Sequence, residues 1–367
     1  MDFAFSEEQD ELRDGVRTVL DAECNVEDLR EFELADEQAR AELSANRWAV
    51  LAELGAAALV VPTSANGLGL TDVDLVGVLE EAGYACLPEP LLETAALAAP
   101  TLAALLPDAT AAAALGALVE DDVMFAVGGV DVTSDGIASP SEVTADGMLR
   151  TPRVVGARDA AILLLACRDD ESGWQLHAVP AASCTADPTP ALSATRDLST
   201  VHWPLASETL LAYGVAAEAA ITLLADRAAA ATAALLIGLA DRMVSMTALY
   251  AKDRHQFGKP IGSFQAVKHL LADARVALEF ARPATYRAAW SLTTAQPSLS
   301  HDASMAKAMA SDAADQAARV ALQVHGAIGY TWECDLHFFM KRTWALSRAW
   351  GDAATHRRLV LAHALGR

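Results

Sequence analysis

The chain is short of basic residues. Its 367 residues carry 27 Lys and Arg against 49 Asp and Glu, a formal net charge of -22. A uniform acidic field repels nucleic acid and anionic lipid, which argues against both as partners. It also opposes any polyanionic small molecule, so such a ligand would need a few placed arginines. Cysteine is sparse: Cys24, Cys86, Cys167, Cys184 and Cys334 are scattered, odd in number and without a CxxC pair. That excludes a disulfide framework and offers no metal-ligand spacing. Reduced, buried thiols in a cytoplasmic protein are expected, with no metal site. The chain is 53% hydrophobic, but much of this is alanine. No run of about 18 uninterrupted strongly apolar residues occurs, so a membrane span is not expected. The acidic start, Met1 to Glu8, lacks the basic region of a signal peptide.

What is present divides into three zones, and the length fits two or three domains. Residues 1–118 read as helical. Ser6-Glu-Glu-Gln9 has capping-box spacing, and Phe5, Leu12, Val16 and Leu20 follow at roughly helical intervals. A loop from Pro62 to Leu70 punctuates this zone. Asp72 or Asp74 can cap the next helix, which Pro88 and Pro90 end. Residues 119–206 change character. Val123–Val127, Ala161–Ala166 and Trp174–Val179 are short apolar or alternating runs, the pattern of a small β domain. Asp169 to Gly173 fits a hairpin turn. Residues 207–367 are helical and alanine-rich, apolar around much of the helical wheel, as in a helix bundle with oligomer contacts.

Two clusters carry chemistry. Arg254-His-Gln-Phe-Gly258 leads into Lys-Pro-Ile-Gly-Ser-Phe264-Gln265. Arginine presents a planar fork of donors and a permanent charge suited to phosphate oxygens. Phe257 offers a flat apolar face, and Gly258 and Pro260 turn the chain. Further on, Gln323-Val-His-Gly326-Ala327-Ile-Gly329 combines glycines, which permit backbone approach, with a glutamine that can bridge carbonyl and amide groups. Taken alone, each cluster also fits an ordinary helix end. Arginine can meet a helix dipole with Phe257 in the core, and glycines can cap.

In this order and architecture, the two clusters resemble the acyl-CoA dehydrogenase family over almost the whole chain. The matching segments are Leu54–Pro62, Asn66–Leu70, Leu79–Gly83, Tyr250–Gly262, Phe264–His269 and Gln323–Thr331. The resemblance implies an α+β, mostly α fold. It consists of an N-terminal helical domain, a small middle β domain and a C-terminal four-helix-bundle domain. It also implies flavoenzyme chemistry, in which two hydrogens leave the α,β bond of an acyl-CoA with FAD as hydride acceptor and a carboxylate as base. In that family the corresponding segments hold the adenosine and pyrophosphate end of a flavin seated mainly in a neighbouring subunit. By resemblance that role falls to Arg254, Gln256, Phe257, Phe264, Gln265, Gln323 and Gly326. Ala327 stands where the family usually has a second glycine.

The family's base is missing at both of its positions. Aligned without gaps from Gln323 through Arg342, the C-terminal position falls on Gly351. The alternative on the long helix is Ala228. Asp352 is one residue from the first. Asp226 is two from the second, a shift of about 200° around a helix. Glu333 matches a common non-catalytic family glutamate. The stretches that cradle the flavin ring in the family have no counterpart between Asp121 and Trp203. Val154 to Ala161 stands where one of them would come, without its tryptophan.

The retained residues serve a neighbour's cofactor, and the lost ones serve the chain's own chemistry. The chain therefore resembles the shorter, base-lacking subunit of actinobacterial α2β2 steroid side-chain acyl-CoA dehydrogenases. That resemblance implies FAD shared with a catalytic paralogue, an acyl-CoA bound mainly in the partner, and an electron-transfer flavoprotein as acceptor. Two alternatives are a self-sufficient homotetramer using Asp352 as base, and a flavin-free scaffold.

Overall fold

The structure, a computed structural model, describes residues 5–145, 147–169 and 173–366. Helices α1 (Glu7–Glu23), α2 (Val26–Leu34), α3 (Glu37–Glu53) and α4 (Asp72–Ala85) come first. A buried π-helix, Leu92–Ala98, then runs into α5 (Ala99–Ala104), and α6 (Ala109–Glu120) follows. The strands are β1 (Phe125–Gly128), β2 (Asp131–Thr133), β3 (Gly136–Ala138), β4 (Glu142–Val143), β5 (Leu149–Val155), β6 (Ile162–Asp169), β7 (Gly173–Pro180), β8 (Thr185–Thr189), β9 (Leu198–Trp203) and β10 (Leu210–Tyr213). The 40-residue α7 (Gly214–Asp253) leads to a hairpin of β11 (His255–Gln256) and β12 (Lys259–Pro260). The chain closes with α8 (Gln265–Thr293), α9 (Leu299–His325), α10 (Leu336–Leu346) and α11 (Ala353–Ala364). Helices, then sheets, then helices is the expected order and fold class.

Two compact units share the chain. One comprises Phe32–Leu75 and Pro88–Ala228 and contains both large sheets. In the first sheet, order β1-β6-β7-β10, the β1–β6 pair is parallel and the others antiparallel. The second, order β4-β5-β9-β8, is antiparallel throughout. Leu163, Leu165, Val179, Val201 and Trp203 form their common core, each buried aliphatic side chain contributing roughly 2 kcal/mol. The Trp203 indole N–H donates to Thr151 Oγ1 at 2.9 Å, so the one polar atom of that ring is satisfied. The three expected runs became β1, β6 and β7. The expected hairpin turn falls largely on residues 170–172, outside the described residues, though β6 and β7 pair in register through Asp169 and Gly173. The helix expected from Ser207 begins instead at Gly214, because Leu210–Tyr213 pairs with β7 as its outer neighbour.

The other unit comprises Met1–Glu31, Val76–Leu87 and Ala229–Arg367. The capping box forms at its start. Gln9 N–H donates to Ser6 Oγ at 3.3 Å, and Gln9 Oε1 accepts from Ser6 N–H at 3.0 Å. At the start of α4, a stretch that belongs to the first unit, the two aspartates divide their work. Asp74 accepts from Thr71 N–H at 2.8 Å, whereas Asp72 pairs with Arg227. The Leu79–Gly83 segment has a physical explanation. Buried Glu81 binds Arg13 and Arg17, and buried Glu80 binds Arg282 at 2.9 Å and accepts from the Tyr286 hydroxyl at 2.7 Å. Burial, then the Glu80 carboxylate, pushes the Tyr286 hydroxyl far up. Removing one partner of such a buried pair costs about 3–5 kcal/mol. Length and composition would let α7 cross a bilayer, but 72% of its most apolar window is buried inside the protein.

Helices α4 and α7 cross with their backbones in contact. A Cβ on Gly238 would lie 1.9 Å from the Glu80 carbonyl oxygen, and one on Gly83 2.2 Å from that of Leu235. Gly238→Ala should therefore lower unfolding stability by about 3 kcal/mol. An unchanged urea midpoint would show that the helices do not cross this closely.

Candidate functional site

Both clusters lie within the second unit described. Helix α7 ends at Asp253, and β11 and β12 form a two-residue hairpin whose tip is Phe257-Gly258. Both tip residues have positive φ, 52° and 78°, as a type I′ turn demands. Glycine adopts that conformation freely, whereas a bulky aromatic is strained in it. The strained ring is also 92% exposed. This excludes Phe257 from the core. Phe264 meets it edge-on at 6.0 Å, and Lys259 sits over Phe264 at 4.4 Å.

The second cluster ends α9. Its C-cap, Gly326, has φ 65° and ψ -138°, and a Cβ there would meet nothing within 4 Å. Gln323, Gly326 and Ala327 are exposed, and Tyr330 is 79% exposed.

Seventy-five residues separate the two groups that join these clusters. The Tyr250 ring stacks on the His325 ring at 4.3 Å and 20°, and the Tyr250 hydroxyl donates to the His325 carbonyl at 3.4 Å. Burial lowers the His325 pKa, so the stacked ring is neutral at pH 7, with its Nδ1 on the Ala321 carbonyl at 2.8 Å. Sequence reasoning singled out neither residue. Their only signal was that both fall inside matched segments.

The expected binding residues Arg254, Gln256, Phe257, Gln265, Gln323, Gly326 and Ala327 are exposed, and Phe264 is half-buried. Among the described residues, the side chains of Arg254, Gln256, Gln265 and Gln323 make no hydrogen bond or ion pair. The surrounding charge is inverted relative to the whole. Lys252, Arg254, Lys259 and Lys268 are exposed, with Asp253 the one carboxylate among residues 250–269. A fixed cation, a free-standing ring, amide side chains and an open glycine suit one end of a dinucleotide. These residue types are compatible with a group such as FAD, of which they would meet the charged and polar atoms.

No carboxylate stands at either expected base position. Ala228 is fully buried in α7. Trp350 and Gly351 form a left-handed turn, φ 56° and 89°, whose carbonyls are pinned. Buried Lys307 donates to the carbonyls of Ser347 at 3.2 Å and Gly351 at 2.9 Å, and His356 Nε2 donates to that of Trp350 at 2.8 Å. Burial lowers His356 to about 4. Asp352 is the N-cap of α11, its Oδ1 accepting from Thr355 N–H at 2.8 Å. That hydrogen bond holds its carboxyl below the ordinary range, the wrong direction for a base. Glu333 is exposed, its acidity raised by Thr331, and its carbonyl accepts from Arg30 at 3.2 Å. Among the described residues no group of three His, Cys, Asp or Glu is placed to hold a metal.

Sequence models of the acyl-CoA dehydrogenase N-terminal and C-terminal domains match residues 6–120 and 218–365. The acyl-CoA dehydrogenase IpdE2 of Mycolicibacterium smegmatis is 34% identical over 343 residues, 92% of each chain. The ChsE4-ChsE5 complex of Mycobacterium tuberculosis superposes with a TM-score of 0.86 at 24% identity, covering 99% of both chains. A variant of the Tcur3481-Tcur3483 steroid ACAD superposes at 0.83 with 25% identity, covering 98% of this chain and 99% of that one.

An exposed ring in a strained turn adds nothing to the core. Phe257→Asn should leave the melting midpoint unchanged or slightly higher, since asparagine suits the left-handed conformation. A clear loss of thermal stability would show that the ring packs within the chain.

Proposed function

The chain belongs to the acyl-CoA dehydrogenase family, and from that premise we propose that it is a non-catalytic subunit. It pairs with a catalytic paralogue in a cytoplasmic α2β2 complex and completes the partner's FAD site. One observation carries the proposal. The cofactor-facing side chains stand exposed and unused by the chain itself, while both base positions lack a carboxylate. When bound, the flavin takes up the hydride that leaves the substrate. This chain's part is binding and orientation. Arg254 supplies charge for the pyrophosphate, Phe257 and Phe264 supply apolar faces, and Gln256, Gln265 and Gln323 supply amide donors and acceptors. Gly326 admits close approach, and the methyl of Ala327 is exposed beside it. The acyl-CoA sits mainly in the partner, and an electron-transfer flavoprotein reoxidises the cofactor.

A paralogous partner is supported by the fold shared with the ChsE4-ChsE5 complex. A steroid side-chain thioester as substrate is supported by the Tcur3481-Tcur3483 relative, a steroid ACAD. Use of Asp352 as base by a homotetramer is disfavoured because that carboxylate caps α11. A flavin-free scaffold is disfavoured by the exposed, unpaired Arg254, which such a protein does not need.

Co-expression with the partner should give a yellow complex holding about one FAD per two chains. A pure homo-oligomer of this chain fully loaded with flavin would contradict the proposal. Asp352→Asn should leave turnover of the complex nearly unchanged. A loss beyond about a hundredfold, the usual scale for a general base, would restore Asp352 as the base.

A further inference from the structure

Arg319 lies on α9 one turn before Gln323. At 3.6 residues per turn, positions 319, 323 and 326 share one stripe of the helix. All three are exposed, while Ala317, Ala318, Val320, Ala321 and Val324 are buried. Among the described residues Arg319 makes no ion pair, hydrogen bond or ring contact. A local partner is at hand and is not used. Asp315 stands one turn earlier, in the acid-before-base order that favours pairing, yet its Oδ1 accepts from Ser347 Oγ at 3.5 Å. Several other arginines of this acidic chain are claimed, although exposed Arg358 also makes no ion pair, hydrogen bond or ring contact among the described residues. Arg13, Arg17, Arg158, Arg227, Arg282 and Arg287 all meet carboxylates. Arg319 shares its open state with Arg254, and the Tyr250–His325 stack brings the ends of their two helices together.

We propose that Arg319 is a second cation for the oxyanion held by this surface, the pyrophosphate of the partner's flavin. The assignment rests on the shared-site reading above. A pyrophosphate diester carries two negative charges, and Arg254 is a single guanidinium, the planar fork that suits phosphate oxygens. A chain of -22 otherwise repels such a group. A second guanidinium on the adjoining helix face balances the ligand without neutralising the protein. A carboxylate of the partner polypeptide offers the same chemistry, and the test separates the two sources.

The co-expressed complex is prepared as wild type, Arg319→Gln, Arg319→Lys and Arg254→Ala. FAD affinity is measured across salt concentrations, and subunit association is followed after the flavin is stripped. Arg319→Gln should weaken FAD binding about tenfold, the scale of one charge-assisted contact, and flatten its salt dependence. Arg319→Lys should keep most of that salt dependence. Unchanged FAD affinity in Arg319→Gln overturns the proposal. If association of the stripped complex weakens at the same time, the oxyanion is a partner carboxylate. If Arg254→Ala weakens FAD binding and Arg319→Gln does not, only this inference fails. If neither variant does, the shared-site reading fails with it.

Discussion

The stacking of Tyr250 on His325 is the contact on which the site depends. It joins the last turns of α7 and α9. Those turns carry the hairpin tip at Phe257 on one side and the open cap at Gly326 on the other. Burial keeps His325 neutral, so two flat rings pack without an uncompensated charge. The Tyr250 hydroxyl then satisfies a carbonyl at the helix end. Two local motifs thereby become one surface.

That surface differs in kind from the rest of the chain. The unit that bears it is held by buried carboxylates matched to arginines, as Glu80 and Glu81 show. At the site the pattern reverses: cations are exposed and unmatched, an aromatic is held in a strained turn, and amides are unsatisfied. Strain and unpaired charge persist where something outside the chain compensates them. The turn at Trp350-Gly351 contrasts with this. It is also strained, but Lys307 and His356 pin its carbonyls from within, so it needs no external ligand. The chain has a finished interior at Trp350-Gly351 and an unfinished exterior at the Arg254 hairpin.

Much of this was legible in the sequence. Ser6 and Gln9 announced their capping box, and the apolar runs at 123–127, 161–166 and 174–179 announced three strands. Other elements were hidden by local chemistry. Strands β5 and β9 carry Arg150, Arg153, Thr200 and His202 on their less buried positions, and β5 is broken by a register shift at Arg153, whose φ is 59°. β10 was masked by the alanine-rich composition that follows it. The Arg254 segment was readable as a cluster of a cation, an aromatic and a turn, but its exposed display was not. A Phe-Gly pair is an uncommon I′ turn, and sequence preference favours Asn or Asp at the first position. Lys307 in an alanine-rich helix reads as a solvated charge, and its burial depends on carbonyls forty residues away. Asp352 read as a weak base because a cap and a base call for the same carboxylate.

The most direct measurement is photo-crosslinking with FAD carrying an azido group on its adenine. The co-expressed complex is irradiated and each chain is mapped by mass spectrometry. The account predicts label on this chain, within the hairpin peptide from His255 to Phe264, and only when the partner is present. Label confined to the partner, or equal labelling of this chain alone, would contradict it.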